Sequence, residues 1–190
     1  TASPFSEYVA GQGNYANVGE YLGPAQPMVF AVPSNSSQRV ISAEAAHLVF
    51  GTGGGSMYVD GGVTPWIDPA FMWIRSPTTG TNNILARGIS VPSTGWWGID
   101  KKTATGMVSA ILAAPTLDSE KIIGTLSMDV AEPNKNNLHM LYFQAQGQLA
   151  GFLPDLTPFS HDKENVRDGH YPLWGPVHLY TQLSGGNLSP

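Results

Sequence analysis

A short polar run, Arg75 to Thr81 (RSPTTGT), combines the residue types best suited to chemistry, and that chemistry is anion binding. The run opens a predicted helix, whose first turn leaves backbone N–H groups unpaired at the positive end of the helix dipole. Arg75 offers a planar guanidinium that matches two oxygens of one oxyanion. Thr79 and Thr81 add hydroxyl donors, and Gly80 lets the backbone approach a ligand. These residues predict a tetrahedral-anion site, but they also fit a turn with a threonine cap and a surface arginine.

Histidines and carboxylates elsewhere in the chain are weaker candidates. The five histidines are His47, His139, His161, His170 and His178. They show none of the short spacings typical of zinc ligands. Asp168 with His170 fits a metal site or a solvated loop, and Asp129 with Glu132 fits an acid–base pair or two surface carboxylates. Because no nucleophile or further ligand pattern accompanies either pair, the sequence predicts no metal and no cofactor.

Thr1 is an alternative of a different kind. A free N-terminal threonine can act as a nucleophile with its own amine as base, which would make the chain a self-processed hydrolase. Such enzymes begin with a strand and carry an early basic partner. The segment TASPFSEYVAGQG contains Pro4 and no early lysine or arginine. The sequence therefore predicts that the chain is not an enzyme, with the hydrolase as a second alternative.

The tryptophans fit either packing or ligand stacking. Trp73 alternates with Phe71 in a predicted buried strand and is therefore expected in the core. Trp96 and Trp97 lie in a loop, where they would pack on protein or stack on a ligand. Packing is the preferred interpretation for both.

Composition excludes several classes of protein. The 190 residues are 42% hydrophobic and only 12% charged, which predicts a folded chain rather than a disordered one. The net charge is −5 and no block of lysine or arginine occurs, so nucleic acid is not expected as a partner. The absence of cysteine removes disulfides and thiolate chemistry. No apolar stretch approaches the ~20 residues of a membrane helix.

The elements that must hold the Arg75–Thr81 run alternate between short strands and short helices. The predicted strands are Pro27–Pro33, Ala70–Ile74, Ile122–Met128 and Leu138–Gln144. The predicted helices are Ala43–Phe50, Asn82–Gly88 and Ala104–Ala114. Residues 1–26 are expected to form a loop or an extended arm, and the segment around Pro176 is expected to be a short helix or extended. This alternation predicts an α/β fold.

Arg75–Thr81 resembles the Arg-Ser-Asp-Gly-Ser-Gly-Thr anion loop of phosphate-binding proteins from ABC uptake systems. Three other segments, PMVFAVPSNS, ISAEAAHLVFGTGG and IIGTLSMDVA, resemble in the same order that family's crossover strand, a helix and a closing strand. The likeness covers roughly residues 25–131. It implies an α/β fold of the type II periplasmic-binding-protein kind, in which two lobes close on a ligand by hinge motion.

The resemblance also implies which residues bind the ligand. Arg75 and Thr79–Thr81 would contact the anion, and Ser76 would lie in the loop without a defined role. Pro77 stands where the family has an acidic residue that orients the arginine and helps to exclude wrong anions. Phosphate is therefore the first expectation, with sulfate, an organic phosphate or a carboxylate as alternatives.

The resemblance further implies that the chain supplies mainly the second lobe. Residues 1–26 would be an N-terminal arm, residues 27–135 the second lobe with the anion loop, and residues 136–190 a segment that returns towards the first lobe. Half a two-lobed protein would expose a sheet edge and an apolar face. We therefore expect a second polypeptide, released by cleavage ahead of Thr1, to supply the N-terminal half, with a simple fragment as the alternative.

These observations predict an extracytoplasmic solute-binding protein, periplasmic or extracellular, that binds a small oxyanion without making or breaking bonds. If it serves a transporter, the permease subunits of an ABC system would be its membrane partners. The first alternative is a structural or interaction protein that has kept the fold and lost the ligand.

Overall fold

The computed structural model describes residues 18–55, 62–92, 94–184 and 187–188. The strands are β1 (Val18–Pro33), β2 (Val40–Ser42), β3 (Met72–Ile74), β4 (Ile99–Asp100), β5 (Ile123–Ser127), β6 (Leu138–Met140), β7 (Tyr142–Gln144), β8 (Trp174–Ser184) and β9 (Asn187–Leu188). The helices are α1 (Ala43–Thr52), α2 (Gly80–Ile89), α3 (Ala104–Leu112), α4 (Met128–Ala131) and α5 (Glu164–Arg167). Short 3₁₀ turns are found at Pro69–Phe71, Thr116–Asp118 and Glu132–Asn134. The elements form two units, Gln26–Trp174 and a smaller one made of Thr1–Ala25 with Gly175–Pro190.

The larger unit is organised around a mixed sheet in the order β4-β3-β5-β1-β6. Strand β3 is parallel to β4 and β5, whereas β1 is antiparallel to both β5 and β6. Consequently β3, β4, β5 and β6 all end at one edge of the sheet, and β1 ends at the opposite edge. The loop that follows β3, which contains Arg75, lies at the first of these edges.

The core is formed where helices cover the central strands. Val29 to Val32 of β1 are completely buried, which explains a continuous apolar run rather than an alternating one. Phe30 stacks on Phe50 of α1 with ring centroids 5.4 Å apart and lies 6.0 Å from the ring of Phe143. Helices α2 and α3 pack on β5, and α1 packs on α2. The predicted α/β class is therefore confirmed. Helix α2 is fixed by its packing on β5 and α1, and it follows directly after the loop that contains Arg75.

The smaller unit is a β-ribbon. Strands β8 and β9 form an antiparallel hairpin in which Leu183 lies opposite Leu188. Tyr180 donates a hydrogen bond of 3.1 Å from its hydroxyl to Oε1 of Glu20 on β1, and His178 contacts the same carboxylate. Of the two expectations for the segment around Pro176, the extended one is confirmed.

Of the two expectations for residues 1–26, a loop or an extended arm, the described part agrees with the extended one, because β1 begins at Val18. Gly19, Gly23 and Pro24 lower the intrinsic strand preference of this segment, but pairing with β8 stabilises it as a strand. Residues 1–17 lie outside the described part.

The Ala70–Ile74 segment differs from its prediction. Its first residues form a 3₁₀ turn because Asp68 caps it by accepting from the backbone N–H of Ala70 at 2.9 Å.

Replacing Gly54 with alanine should destabilise the fold by about 2 kcal/mol. Gly54 follows α1, its N–H caps the carbonyl of Leu48 at 2.9 Å, and its φ of +67° lies in the left-handed region. A Cβ there would approach the carbonyl oxygen of Trp66 to 2.0 Å, so backbone must move. The neighbouring Gly55 has no atom within 4 Å of a Cβ position. Urea denaturation should therefore show a clear loss for Gly54→Ala and little for Gly55→Ala; equal effects would contradict this account.

Candidate functional site

The candidate site is the loop between β3 and α2, Arg75–Thr79, together with the first turn of α2. It lies at the sheet edge where the parallel strands β3, β4 and β5 end. In open α/β sheets, ligands bind at this edge, outside the carboxyl ends of the strands. The structure therefore brings all the residues predicted from the sequence into one short stretch in a position suited to ligand binding.

Backbone N–H groups at the start of α2 are available to a ligand. Thr79 is the N-cap residue, and its side-chain oxygen accepts from the N–H of Asn82 at 3.5 Å. Its carbonyl accepts from the N–H of Asn83 at 3.0 Å. Within the described part of the chain, the N–H groups of Gly80 and Thr81 donate to no protein acceptor. Gly80 is exposed, and no described atom lies within 4 Å of its Cβ position, so this opening leaves space for a guest.

Arg75 is held next to these N–H groups. Its Nη1 donates to the hydroxyl oxygen of Thr81 at 3.2 Å, and Thr81 is only 4% exposed. The Nε atom of Arg75 is buried and has no hydrogen-bond partner in the described structure. A buried unpaired donor on a cation is costly, so Nε identifies a position where an acceptor is missing.

Asn82 positions this arrangement, and the sequence analysis did not identify it. Its side chain is completely buried, and its Nδ2 donates to the backbone carbonyl of Arg75 at 2.6 Å. Its Oδ1 accepts from the hydroxyl of Thr125 on β5 at 3.1 Å. The amide thus joins the loop, α2 and the central sheet. The only signal in the sequence is the position of this asparagine, three residues after the cap Thr79. An asparagine buried there requires hydrogen-bond partners for its amide.

A carboxylate adjoins the loop on its other side. Ser76 donates from its hydroxyl to Oδ2 of Asp100, at the end of β4, at 2.9 Å. Burial opposes the charge of Asp100, but hydrogen bonds from the N–H of Lys102 and from Ser76 lower its pKa below the ordinary value. Asp100 is therefore charged at neutral pH. The hydroxyl proton of Ser76 is engaged with this carboxylate, so Ser76 acts in holding the loop rather than as a free donor.

Cationic and hydroxyl donors thus surround a position at the start of α2 that can accept an oxyanion. The helix start supplies two free N–H groups, Arg75 supplies charge, and the hydroxyls of Thr79 and Thr81 keep their protons because each acts as an acceptor inside the loop. The amine of Lys101, next to Asp100, lies 4.2 Å from the ring centroid of Trp73. The arrangement can bind and neutralise an anion.

Residues of the other candidate pairs make contacts of their own in the structure. Among the described residues, no group of three or more histidine, aspartate or glutamate side chains could hold a metal ion. His170 stacks on Phe152 with ring centroids 4.9 Å apart. Asp129 accepts from the side chain of Gln26 at 3.0 Å, whereas Glu132 contacts His161 and a lysine. Thr1, the candidate nucleophile, lies outside the described residues.

The tryptophans divide between packing and exposure. Trp73 is 8% exposed and belongs to the core, as expected. Trp96 packs on Phe50, with ring centroids 5.4 Å apart, which agrees with the packing interpretation. Trp97 is 49% exposed, although its backbone N–H donates to the backbone carbonyl of Phe50 at 2.7 Å.

Comparison with solved structures identifies the fold. A possible phosphate binding protein from Planctomyces limnophilus aligns with 87% of this chain at 13% identity and a TM-score of 0.64, over 56% of its own length. A substrate-binding protein assigned to a phosphate ABC transporter of Clostridium perfringens, solved with bound phosphate, aligns with the whole chain at 12% identity and a TM-score of 0.62, over 65% of its length. PstS from Borrelia burgdorferi aligns with 87% of the chain at 13% identity and a TM-score of 0.59, over 60% of its length.

The chain therefore has the fold of phosphate-binding proteins of ABC transporters, and the resemblance recognised in the sequence is confirmed at that level. It spans between about half and two thirds of the length of these structures, in agreement with the predicted partial match. No protein-family model matches the sequence, and no curated protein matches it. At this level of identity the likeness establishes the fold alone.

Proposed function

We propose that this chain binds phosphate, or a closely related oxyanion, at the Arg75–Thr81 loop as part of a solute-binding protein. One observation carries the proposal. The buried Nε of Arg75 and the N–H groups of Gly80 and Thr81 lack acceptors within the described structure, although they belong to one loop. A single tetrahedral anion supplies acceptors to several such donors at once, and a helix start favours its charge.

Phosphate is the preferred ligand for two reasons. The structures with this fold are phosphate-binding proteins by name, and one contains bound phosphate. In addition, the charged Asp100 lies one hydrogen bond from the loop, through Ser76. A carboxylate can accept a hydrogen bond from an anion that still carries a proton, as phosphate does at neutral pH, whereas it repels sulfate, which carries none. Asp100 would in this way offset the substitution of the family's acidic residue by Pro77.

The proposal includes a transport role outside the cytoplasm, with binding rather than catalysis as the activity and ABC permease subunits as partners. None of the described helices is long and apolar enough to cross a membrane. A further wall of the binding cleft would come from a part of the protein beyond these 190 residues. The second polypeptide and the cleavage ahead of Thr1 stay predictions, as does the division into segments 1–26, 27–135 and 136–190.

The direct test is an NMR titration of the ¹⁵N-labelled chain with inorganic phosphate at pH 7. We expect the amide resonances of Gly80 and Thr81 to shift downfield more than any others, because these two N–H groups gain a charged acceptor. Three charge-assisted hydrogen bonds in an open site correspond to a dissociation constant on the order of 0.1 mM.

The same titration with sulfate and with glycerol phosphate provides the comparison with inorganic phosphate. Weaker shifts with sulfate support the role of Asp100, and the Asp100→Asn variant should reduce the difference between the two inorganic anions. Absence of shifts at Gly80 and Thr81 with all three anions would contradict the proposal and support the structural or interaction protein instead.

A further inference from the structure

A cavity lies along strand β6, apart from the anion loop. Its volume is about 450 Å³, within the usual range of small-molecule sites. The three residues of β6, Leu138, His139 and Met140, all line it. None of the residues of the anion loop, Arg75–Thr81, lines this cavity. The two sites are therefore separate.

The polar part of this cavity is cationic. Arg39 and Lys135 both line it, and no aspartate or glutamate does. Nη1 of Arg39 is fixed by donating to the carbonyls of Ser36 and Gln38, both at 2.7 Å, which leaves its Nη2 and Nε for a guest. Nζ of Lys135 donates to the carbonyl of Phe159 at 3.2 Å and lies 2.9 Å from Nε2 of His161. Two of its three protons are thus held, so the ammonium is oriented before any ligand arrives.

A buried imidazole nitrogen adds a directional contact. His139 lines the cavity, and its Nδ1 is buried without a hydrogen-bond partner in the described structure. Burial, together with the positive charge of Arg39, lowers the pKa of His139 below the ordinary value, although a hydrogen bond with the backbone of Ser36 acts in the opposite direction. The ring is therefore neutral at pH 7. A guest oxygen or hydroxyl would satisfy this nitrogen, whichever tautomer the ring adopts.

The remaining wall is apolar and aromatic. Leu153 and Tyr142 line the cavity, and Phe159, which is 84% exposed, stands at its margin. An inorganic anion would occupy only a small part of this volume and would leave the apolar wall in contact with water. A molecule with a carboxylate and an aromatic or branched apolar body would satisfy both parts, since a guanidinium matches the two oxygens of a carboxylate.

We propose that this cavity binds a small organic carboxylate with an apolar body, through Arg39, Lys135 and His139. The site is independent of the phosphate site, because it is formed by other residues. It would give the protein a second ligand of a different chemical class.

Benzoate is the probe for this proposal, with benzamide as its neutral counterpart of the same shape. Saturation-transfer NMR on the full 190-residue chain should show benzoate binding at least about tenfold tighter than benzamide. Excess phosphate should not reduce the benzoate signal. In labelled wild-type protein, benzoate should shift the His139 ring and Phe159 amide resonances, a readout that does not depend on any variant.

Arg39→Gln should weaken benzoate binding about tenfold, because it removes the charge and the planar fork but keeps an exposed polar side chain. Arg87→Gln removes the same charge from an exposed position at the end of α2, and it should not change the affinity for benzoate. Equal binding of benzoate and benzamide, displacement of benzoate by phosphate, absence of benzoate binding, or full affinity in Arg39→Gln would each overturn the proposal.

Discussion

Replacing Arg75 with glutamine should weaken phosphate binding about 100-fold while leaving the fold intact. Arg75 contributes a positive charge to the loop that contains the free N–H groups of Gly80 and Thr81, and its Nη1 donates to the hydroxyl of Thr81. Removing one member of a desolvated, hydrogen-bonded charge pair typically costs 2–5 kcal/mol of binding free energy, and about 2.7 kcal/mol corresponds to 100-fold. The measurement is the phosphate titration of wild type and variant, followed at the Gly80 amide.

Arg87→Gln is the matched control for this prediction. Arg87 lies in the last turn of the same helix, is exposed, and carries the same charge. Because surface charges are screened beyond about 10 Å at ordinary ionic strength, its loss should change phosphate affinity less than about twofold. If both variants weaken binding equally, the effect is one of net charge and the assignment of Arg75 is wrong.

A specific loss of affinity requires that the variant stays folded. Arg75→Gln keeps a side chain able to donate to Thr81, and the backbone carbonyl of residue 75 still accepts from Asn82. Equal denaturation midpoints for wild type and variant in the absence of phosphate would confirm that only the ligand contact has been removed.

Local sequence signals predicted the elements of the larger unit well. Ser42 and Thr103 directly precede two of the predicted helices, and serine and threonine are favoured helix caps. Their side-chain oxygens accept from the N–H groups of Ala45 and Gly106 at 3.1 and 2.9 Å. Such contacts join residues three positions apart, so a single segment contains all the information required. The same holds for the loop itself, since its predicted donors are consecutive in sequence.

The supporting contacts of the site could not be predicted in this way. Asn82 bonds to Thr125, which is 43 residues away, and Ser76 bonds to Asp100, which is 24 residues away. Nothing in either segment indicates its partner, because the parallel arrangement of β3, β4 and β5 creates these contacts. The 450 Å³ cavity is an extreme case, since it combines Arg39 with Phe159. The pairing of the first half of β1 was not predicted for a related reason, because its partner β8 comes about 150 residues later.

Replacing Lys163 with methionine should destabilise the fold by about 3 kcal/mol, more than any other single charge removal considered. Nζ of Lys163 donates to Oε1 of Glu132 at 2.6 Å and to Oδ1 of Asp155 at 2.9 Å. Asp155 is 2% exposed. In the variant, residue 163 would donate to this carboxylate only through its backbone N–H, at 2.8 Å. Removing one partner of a buried ion pair leaves an uncompensated buried charge, which typically costs 3–5 kcal/mol. Methionine preserves the length and apolar stem of the side chain.

Lys102→Met is the control, because Lys102 forms a looser pair of 3.6 Å with Asp100 and its side chain is 80% exposed. Exposed pairs contribute little, so urea denaturation should show almost no change for Lys102→Met and a lower midpoint with an unchanged slope for Lys163→Met. Similar losses in both variants would show that Lys163 is not part of a buried charge cluster.

The same cluster contributes to the response of stability to acid. Burial opposes the charge of Glu132, but hydrogen bonds from Lys163 and His161 lower its pKa below the ordinary 4.5. A group with a lowered folded-state pKa contributes stability above its unfolded pKa, and that contribution is lost as the pH falls through the folded value. Wild-type stability should therefore decline from about pH 5 downward. In Lys163→Met, Glu132 loses its strongest donor, so acid unfolding followed by circular dichroism should begin at a higher pH. An acid transition at the same pH in both proteins would show that Glu132 is not stabilised by this lysine.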